Sequence, residues 1–230
     1  MSRVNAVIVA AGRGTRLGGA GSKVLLPVAG RPLILHTLDR FAAAKEVDEA
    51  VLVAPADAVA EYVELLRTSP PAGLAVAVRP GGARRQDSVR AGLDALAADC
   101  EVVVVHDGAR PFASAGLIDR CVRESRPDRP VTAAVPARNT IKTVQDGQVV
   151  ETLPRERLWE IQTPQAFPVR VLRDAYEKAE RDGVEATDDA MLVERLGMPV
   201  RVVEGSTTNL KVTYPEDLLF AETLVAEGLV

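Results

Sequence analysis

Short apolar runs alternate with amphipathic stretches along most of the chain. Val4 to Ala10, interrupted only by Asn5, has the pattern of a strand covered on both faces of a parallel sheet. Arg31-Pro32 opens a helical stretch from Leu33 to Ala44, with proline near the first turn where its missing N–H costs nothing. Strands are predicted at Glu49 to Ala54, Leu74 to Val78 and Glu101 to His106, with helices at about Asp57 to Leu66 and Gln86 to Ala98. This alternation predicts an α/β fold: a doubly wound, mostly parallel, Rossmann-like sheet. Ligands on such sheets collect outside the carboxyl ends of the strands. Gly12, Gly81, Gly82, Asp107 and Arg110 all fall just after predicted strands, so one crevice is expected to gather them.

The rhythm breaks between Val135 and Pro164. Ile141 to Val150 reads as two short strands around Asp146-Gly147, a strong hairpin signal. It is read as a β-arm, at about residues 136–160, projecting from the sheet. Helices resume at Val169 to Arg181 and Asp188 to Leu196, followed by a strand at Val200 to Glu204 and a helix from Pro215 to Glu227. The expectation is a single domain over residues 1–230 carrying that arm. A lone two-stranded hairpin is marginal in water, so the arm should pack against a second copy. The predicted assembly is a homodimer with shared active sites, two-fold symmetry being the commonest closed arrangement.

Composition narrows the chemistry. The 230 residues are 47% hydrophobic and 26% charged, ordinary for a globular protein, but only 3% aromatic, so bases are not expected to be held by stacking. A net charge of -4 gives no global reason to bind nucleic acid, and any anionic ligand must meet locally placed Arg and Lys. Cys100 and Cys121 form no CxxC, and with only His36 and His106 a multi-histidine metal site is not expected. The apolar run at the N-terminus is too short for a membrane span and lacks the design of a signal peptide, which predicts a cytoplasmic protein with no membrane partner.

Three loops carry candidate chemistry. The first is Ala10-Ala-Gly-Arg-Gly-Thr-Arg-Leu-Gly18, with Lys23 seven residues after Arg16. A dinucleotide fingerprint fails because Leu17 occupies the third glycine position, and a P-loop fails because no Gly-Lys-Ser/Thr follows. Glycines that admit backbone N–H groups to phosphates, with two cations beside them, suit a wrapped nucleoside triphosphate. The second is Pro80-Gly-Gly-Ala-Arg-Arg-Gln-Asp-Ser88, where glycines could bring backbone to a base edge and Ser88 could cap the next helix. The third is His106-Asp-Gly-Ala-Arg110; Asp107, at a strand's carboxyl end, could hold Mg²⁺ or another divalent cation on the triphosphate, or simply cap a turn. His106 reads as structural.

Taken together, Ala10-Ala-Gly-x-Gly-x-Arg16, Lys23, Gly81-Gly-x-x-Arg-x-x-Ser88, His106-Asp-x-Ala-Arg110, Thr163-Pro-Gln165, Thr187-Asp188 and Lys211-Val-Thr-x-Pro-Glu-Asp217 resemble the 2-C-methyl-D-erythritol 4-phosphate cytidylyltransferase family over nearly the whole chain. Two departures stand out. Ser22 and Val24 flank Lys23 where the family usually has Pro and Gln, and Gly108 replaces an alanine. No cyclodiphosphate synthase domain, as found in bifunctional relatives, is expected within these residues.

The resemblance implies that a phosphate oxygen of methylerythritol phosphate attacks the α-phosphorus of CTP and releases pyrophosphate. A phosphate monoester, with its second pKa near ~6, is already largely anionic at neutral pH, so no general base is needed. The difficulty is positioning two polyanions and stabilising the charge that develops. On this reading Arg16, Lys23, Arg155 and Lys211 are the catalytic cations. Ala10, Ala11, Gly12, Gly14, Gly81, Gly82, Arg85 and Ser88 hold CTP. Asp107, Arg110, Thr163 and Thr187 gather the acceptor, and Asp107 also serves the metal. Arg155 would reach over from the arm of the other chain. Thr187-Asp188 also has the form of a helix cap. A ribitol-5-phosphate cytidylyltransferase, a sugar nucleotidyltransferase using UTP or GTP, and a catalytically silent nucleotide-binding protein are the competing readings. Retention of Arg16, Lys23, Asp107 and Lys211 counts against the last.

Overall fold

The computed structural model describes residues 3–12, 14, 22–126 and 128–230. From the N-terminus run β1 (Arg3–Val9), a small antiparallel pair β2 (Pro27–Val28) and β3 (Arg31–Pro32), α1 (Leu33–Ala42), β4 (Glu49–Ala54), α2 (Val59–Thr68), β5 (Ala75–Pro80), α3 (Arg85–Asp94) and β6 (Cys100–Asp107). The second half holds α4 (Ala115–Ser125), β7 (Val131–Pro136), β8 (Lys142–Gln145), β9 (Gln148–Thr152), β10 (Trp159–Pro168), α5 (Val169–Arg181), α6 (Asp189–Glu194), β11 (Arg201–Glu204) and α7 (Pro215–Ala226). The main sheet is seven-stranded in the order β11-β7-β10-β6-β1-β4-β5. β10 runs antiparallel to both its neighbours, and the other pairings are parallel. The expected doubly wound, mostly parallel α/β architecture is therefore present.

The near-continuous apolar strands have a simple cause, which is that both faces of the sheet are covered. Val4, Ala6 and Ile8 of β1, with Ala50, Leu52, Val102 and Val104, pack on one face with Leu35, Leu38 and Phe41 of α1 and Ile118 and Val122 of α4. The alternate residues Val7, Val51, Val53, Val103 and Val105 pack on the other with Val89 and Leu93 of α3 and Leu172 and Ala175 of α5. Val24 sits in the first of these clusters, and Ser22 is hydrogen-bonded to Tyr62, so both departures around Lys23 face protein. No described helix is long and apolar enough to cross a membrane.

Three features differ from the pattern-based expectation. α4 and β7 fill a stretch for which no element was predicted, although Ser114 caps α4 through its hydroxyl and Leu117, Ile118, Cys121 and Val122 form its buried face. β10 crosses the region taken as irregular and lies at the heart of the sheet. Its Pro164 argues against a central strand, and the ladder to β7 shifts register between Ile161 and Gln165, where such a residue is tolerated. Helix α3 starts at Arg85, so Ser88 lies inside the first turns and caps nothing; its hydroxyl instead accepts from the Gly82 N–H at 3.2 Å.

β8 and β9 form a separate two-stranded sheet. Their turn places Asp146 at φ 49° and Gly147 at φ 76°, the double positive φ that a two-residue hairpin turn of matching twist requires. Every residue of both strands is exposed, including Val144, Val149 and Val150 at about 60%.

Candidate active site

The carboxyl ends of β1, β5 and β6 meet at a cavity of about 290 Å³. Ala10, Ala11, Gly12, Gly14, Lys23, Gly82, Ala83, Arg84, Arg85, Ser88, Asp107 and Lys211 line it. Gly14 has φ 64°, and a Cβ there would lie 2.5 Å from Cβ of Lys23, so glycine is what lets the loop rest on the lysine stem. The Lys23 ammonium donates to the Val212 carbonyl at 2.8 Å, tying the first loop to the segment after β11. Gly81 does not face the cavity. A Cβ on it would come 2.5 Å from Ala11 Cβ and 2.8 Å from Ser88 Oγ, so its bareness packs one loop on another, while Gly82 presents backbone to the space. Arg16 lies outside the described residues.

Asp107 is the electrostatic centre. Lys211 Nζ donates to its Oδ2 at 2.8 Å, Arg85 Nε donates to its Oδ1 at 3.2 Å, and Arg110 Nε stands 3.9 Å from Oδ2. Burial pushes the carboxyl group's pKa up, but Lys211, Arg85 and Arg110 outweigh it and hold the pKa far below the ordinary carboxylate range. Burial likewise pulls Arg85 down, yet Asp189 and Asp107 outweigh it and raise it above the usual guanidinium value. Arg110, which donates to the Asn209 carbonyl at 2.8 Å, is lowered by burial.

This geometry bears on two of the expected roles. Arg85, expected to hold CTP, lines the first cavity, and its guanidinium bonds two carboxylates, Asp107 and Asp189. Asp107, expected to serve the metal, already has partners for both oxygens. Its oxygens are turned to three cations, and the described residues contain no cluster of three His, Cys, Asp or Glu that could hold an ion.

A second cavity, of about 500 Å³, adjoins the first and shares Arg85, Asp107 and Lys211 with it. Arg110, Thr163 and Thr187 also line it, so the predicted acceptor residues are brought together. Thr163 is more engaged than its sequence position suggests. Its hydroxyl oxygen accepts the Asp107 N–H at 3.0 Å and lies 3.1 Å from His106 Nδ1. His106 Nε2 faces the Arg110 carbonyl at 3.0 Å, which can only accept, so Nε2 carries the proton and Nδ1 accepts from Thr163. Burial lowers the His106 pKa to about 4, so the ring is neutral at physiological pH, in keeping with a structural role. Thr187 does not cap α6; Asp188 does, accepting from the Met191 N–H at 3.0 Å.

Arg155 stands apart. It is exposed, donates to the Arg138 carbonyl at 2.8 Å, and borders a different hollow formed by the ends of β7 and β11. It reaches neither cavity of its own chain. Asp189, Tyr176 and Gln165 were not singled out as site residues from sequence, yet they surround the ion cluster. Tyr176 donates to Asp189 at 2.5 Å, Asp189 accepts from Arg85 at 2.8 Å, and Gln165 bonds Asp188, Thr132 and the Ala190 N–H. Gln165 is marked only as the end of the Thr163-Pro-Gln165 motif, and nothing local marks Asp189 or Tyr176, which meet only through the packing of α5 on α6.

The chain and its fold have counterparts among known proteins. The family model for 2-C-methyl-D-erythritol 4-phosphate cytidylyltransferase matches residues 4–227. A relative of that name from Pelotomaculum thermopropionicum is 44% identical, covering 98% of this chain and 95% of its own. The crystal structure of 4-diphosphocytidyl-2C-methyl-D-erythritol synthase from Anaerococcus prevotii superposes with a TM-score of 0.86 at 32% identity, over 97% of this chain and 98% of that one. The 2-C-methyl-D-erythritol 4-phosphate cytidylyltransferase from Thermus thermophilus gives 0.78 at 36% identity, over 96% and 98%. With the fold, the order of its loops and these likenesses in agreement, the chain belongs to the 2-C-methyl-D-erythritol 4-phosphate cytidylyltransferase family.

Proposed function

We propose that this protein is a nucleotidyltransferase that moves the cytidylyl group of CTP onto 2-C-methyl-D-erythritol 4-phosphate, in non-mevalonate isoprenoid biosynthesis. The observation that carries this reading is the shared wall of Arg85, Asp107 and Lys211 between the two cavities. CTP occupies the cavity ringed by the first loop and Lys23, and the acceptor phosphate enters from the side of Arg110, Thr163 and Thr187. A bond forms between an acceptor phosphate oxygen and the α-phosphorus, the bond from the α-phosphorus to the bridging oxygen breaks, and pyrophosphate leaves. The acceptor oxygen needs no proton removed, because a phosphate monoester is largely dianionic near neutral pH. The protein's contribution is alignment and fixed positive charge at the seam. Mg²⁺ is proposed to enter on the triphosphate oxygens rather than on Asp107. The compartment proposed is the cytoplasm, where nucleoside triphosphates are made.

Pyrophosphate release, measured with each of the four nucleoside triphosphates against methylerythritol phosphate, ribitol 5-phosphate and a hexose 1-phosphate, tests the assignment. Turnover is expected with CTP and methylerythritol phosphate. Comparable turnover with a purine triphosphate or with ribitol phosphate would reassign the substrate.

The arm supports a homodimer with shared sites. Val144, Val149, Val150 and Trp159 leave an apolar surface uncovered, and Arg155 lies away from Lys23 of its own chain. A partner's arm would cover that surface and carry Arg155 to the opposite crevice. Mixing the inactive variants Lys23→Ala and Arg155→Ala under subunit exchange is the test. Each mixed dimer would have one site with both defects and one with neither, so about a quarter of wild-type sites should return. No recovery despite confirmed exchange would refute the shared site and leave the reaction standing.

A further inference from the structure

Arg85 touches both substrate cavities, and its guanidinium spans two carboxylates. Nε donates to Asp107 at 3.2 Å and Nη2 donates to Asp189 at 2.8 Å. Asp189 opens α6 and is fully buried, so its carboxylate has no water to turn to. Its other oxygen accepts the hydroxyl of Tyr176, which is itself buried on α5. Both oxygens of Asp189 therefore have a partner, and Asp189 cannot rotate without leaving a buried polar group unpaired.

The crevice must take in a triphosphate and a phosphate monoester. A cation held only by Asp107 would be drawn toward those phosphates, and a flexible guanidinium could follow them. Arg85 is instead anchored from behind by a carboxylate in a water-free setting, where charge pairing is stronger than at the surface. Once Arg85 is fixed, one oxygen of Asp107 is fixed too, and the other is left to set Lys211 at 2.8 Å. Thr187, two residues before Asp189, lines the acceptor cavity, so the same helix start places an acceptor contact and the anchor.

We propose that Asp189, locked by Tyr176, is a positioning residue that holds Arg85, and through it Asp107 and Lys211, in the arrangement the transfer step requires. This rests on the transferase reading above. Asp189→Asn keeps the shape and removes the charge; misplacement of a reacting group costs on the order of 10–100-fold, so kcat should fall by that much. The KM for CTP should change by less than about 3-fold, because CTP rests on the first loop rather than on Asp189. Tyr176→Phe should lower kcat in the same direction by a smaller factor.

The decisive comparison is a double-mutant cycle. If Asp189 acts through Arg85, Asp189→Asn has little further effect on kcat once Arg85→Met is present. Equal losses in both backgrounds, or an unchanged kcat in folded Asp189→Asn, would overturn the proposal. Should Asp189→Asn fail to fold, Tyr176→Phe is carried through the same cycle and read the same way. The Arg85 Nε–H proton gives a readout that needs no turnover. It should exchange slowly with water in the native protein and at least about 10-fold faster in Tyr176→Phe, as freed local opening predicts. Unchanged exchange would also overturn the proposal, whatever acceptor the enzyme proves to use.

Discussion

Lys23→Ala is expected to lower kcat by about 10²–10³-fold, the cost of removing one preorganised charge from a transition state. The ammonium lines the nucleotide cavity and is held at a known point, 2.8 Å from the Val212 carbonyl. That carbonyl is a weaker partner than a phosphate oxygen, so an incoming triphosphate should take the ammonium over. In the ground state CTP also has the first loop and the Gly82 backbone to bind it. The lysine's particular contribution is to charge that grows as the α-phosphorus becomes five-coordinate, and such a contribution appears in kcat rather than in KM. Steady-state kinetics with CTP varied and the acceptor saturating would check this. A folded Lys23→Ala enzyme with near-normal kcat would remove Lys23 from the catalytic set even if its KM rose.

Asp107→Asn should be the most damaging single-atom-scale change in the crevice. The carboxylate balances Lys211, Arg85 and Arg110, and its depressed pKa reflects how strongly they favour its charge. Asparagine fills the same volume but leaves these cations without that anion. Breaking a buried ionic arrangement in this way costs about 3 kcal/mol of stability. Activity should fall by at least about 100-fold, because Lys211 and Arg110 are then free to separate by repulsion. Chemical denaturation and initial rates give the two numbers. The magnesium dependence decides what Asp107 is for. A carboxylate that organises cations predicts a defect that extra Mg²⁺ or Mn²⁺ leaves unchanged, whereas recovery at high metal would show that Asp107 holds the ion after all.

Much of the fold was legible along the chain because its causes are local. A strand buried on both faces must be apolar at consecutive positions, as Val4 to Ala10 and Glu101 to His106 nearly are. The Asp146-Gly147 turn is equally local, since the residues themselves favour the positive φ that the hairpin needs. The glycine loops and the cations after β1, β5 and β6 followed from the rule that strand ends face one crevice. Reading failed where neighbours decide. β10 carries Pro164 and polar residues such as Gln162 and Gln165, which suit a strand only because β6 and β7 flank it and its register slips between Ile161 and Gln165.

The sequence by itself determined the class of sheet, the place of the crevice and which charged and glycine residues gather there. Only the tertiary structure decided how those charges share their partners. Arg85, Asp107 and Lys211 are far apart in the chain, and each looks like an available ligand when read alone, while Asp189 does not stand out at all. Burial changes that, because a charge withdrawn from water must find its counter-charge among whatever the packing of helices and strands brings near. Arg85 therefore became a strut between two carboxylates, Asp107 the shared partner of Arg85 and Lys211, and Asp188 rather than Thr187 the cap of α6.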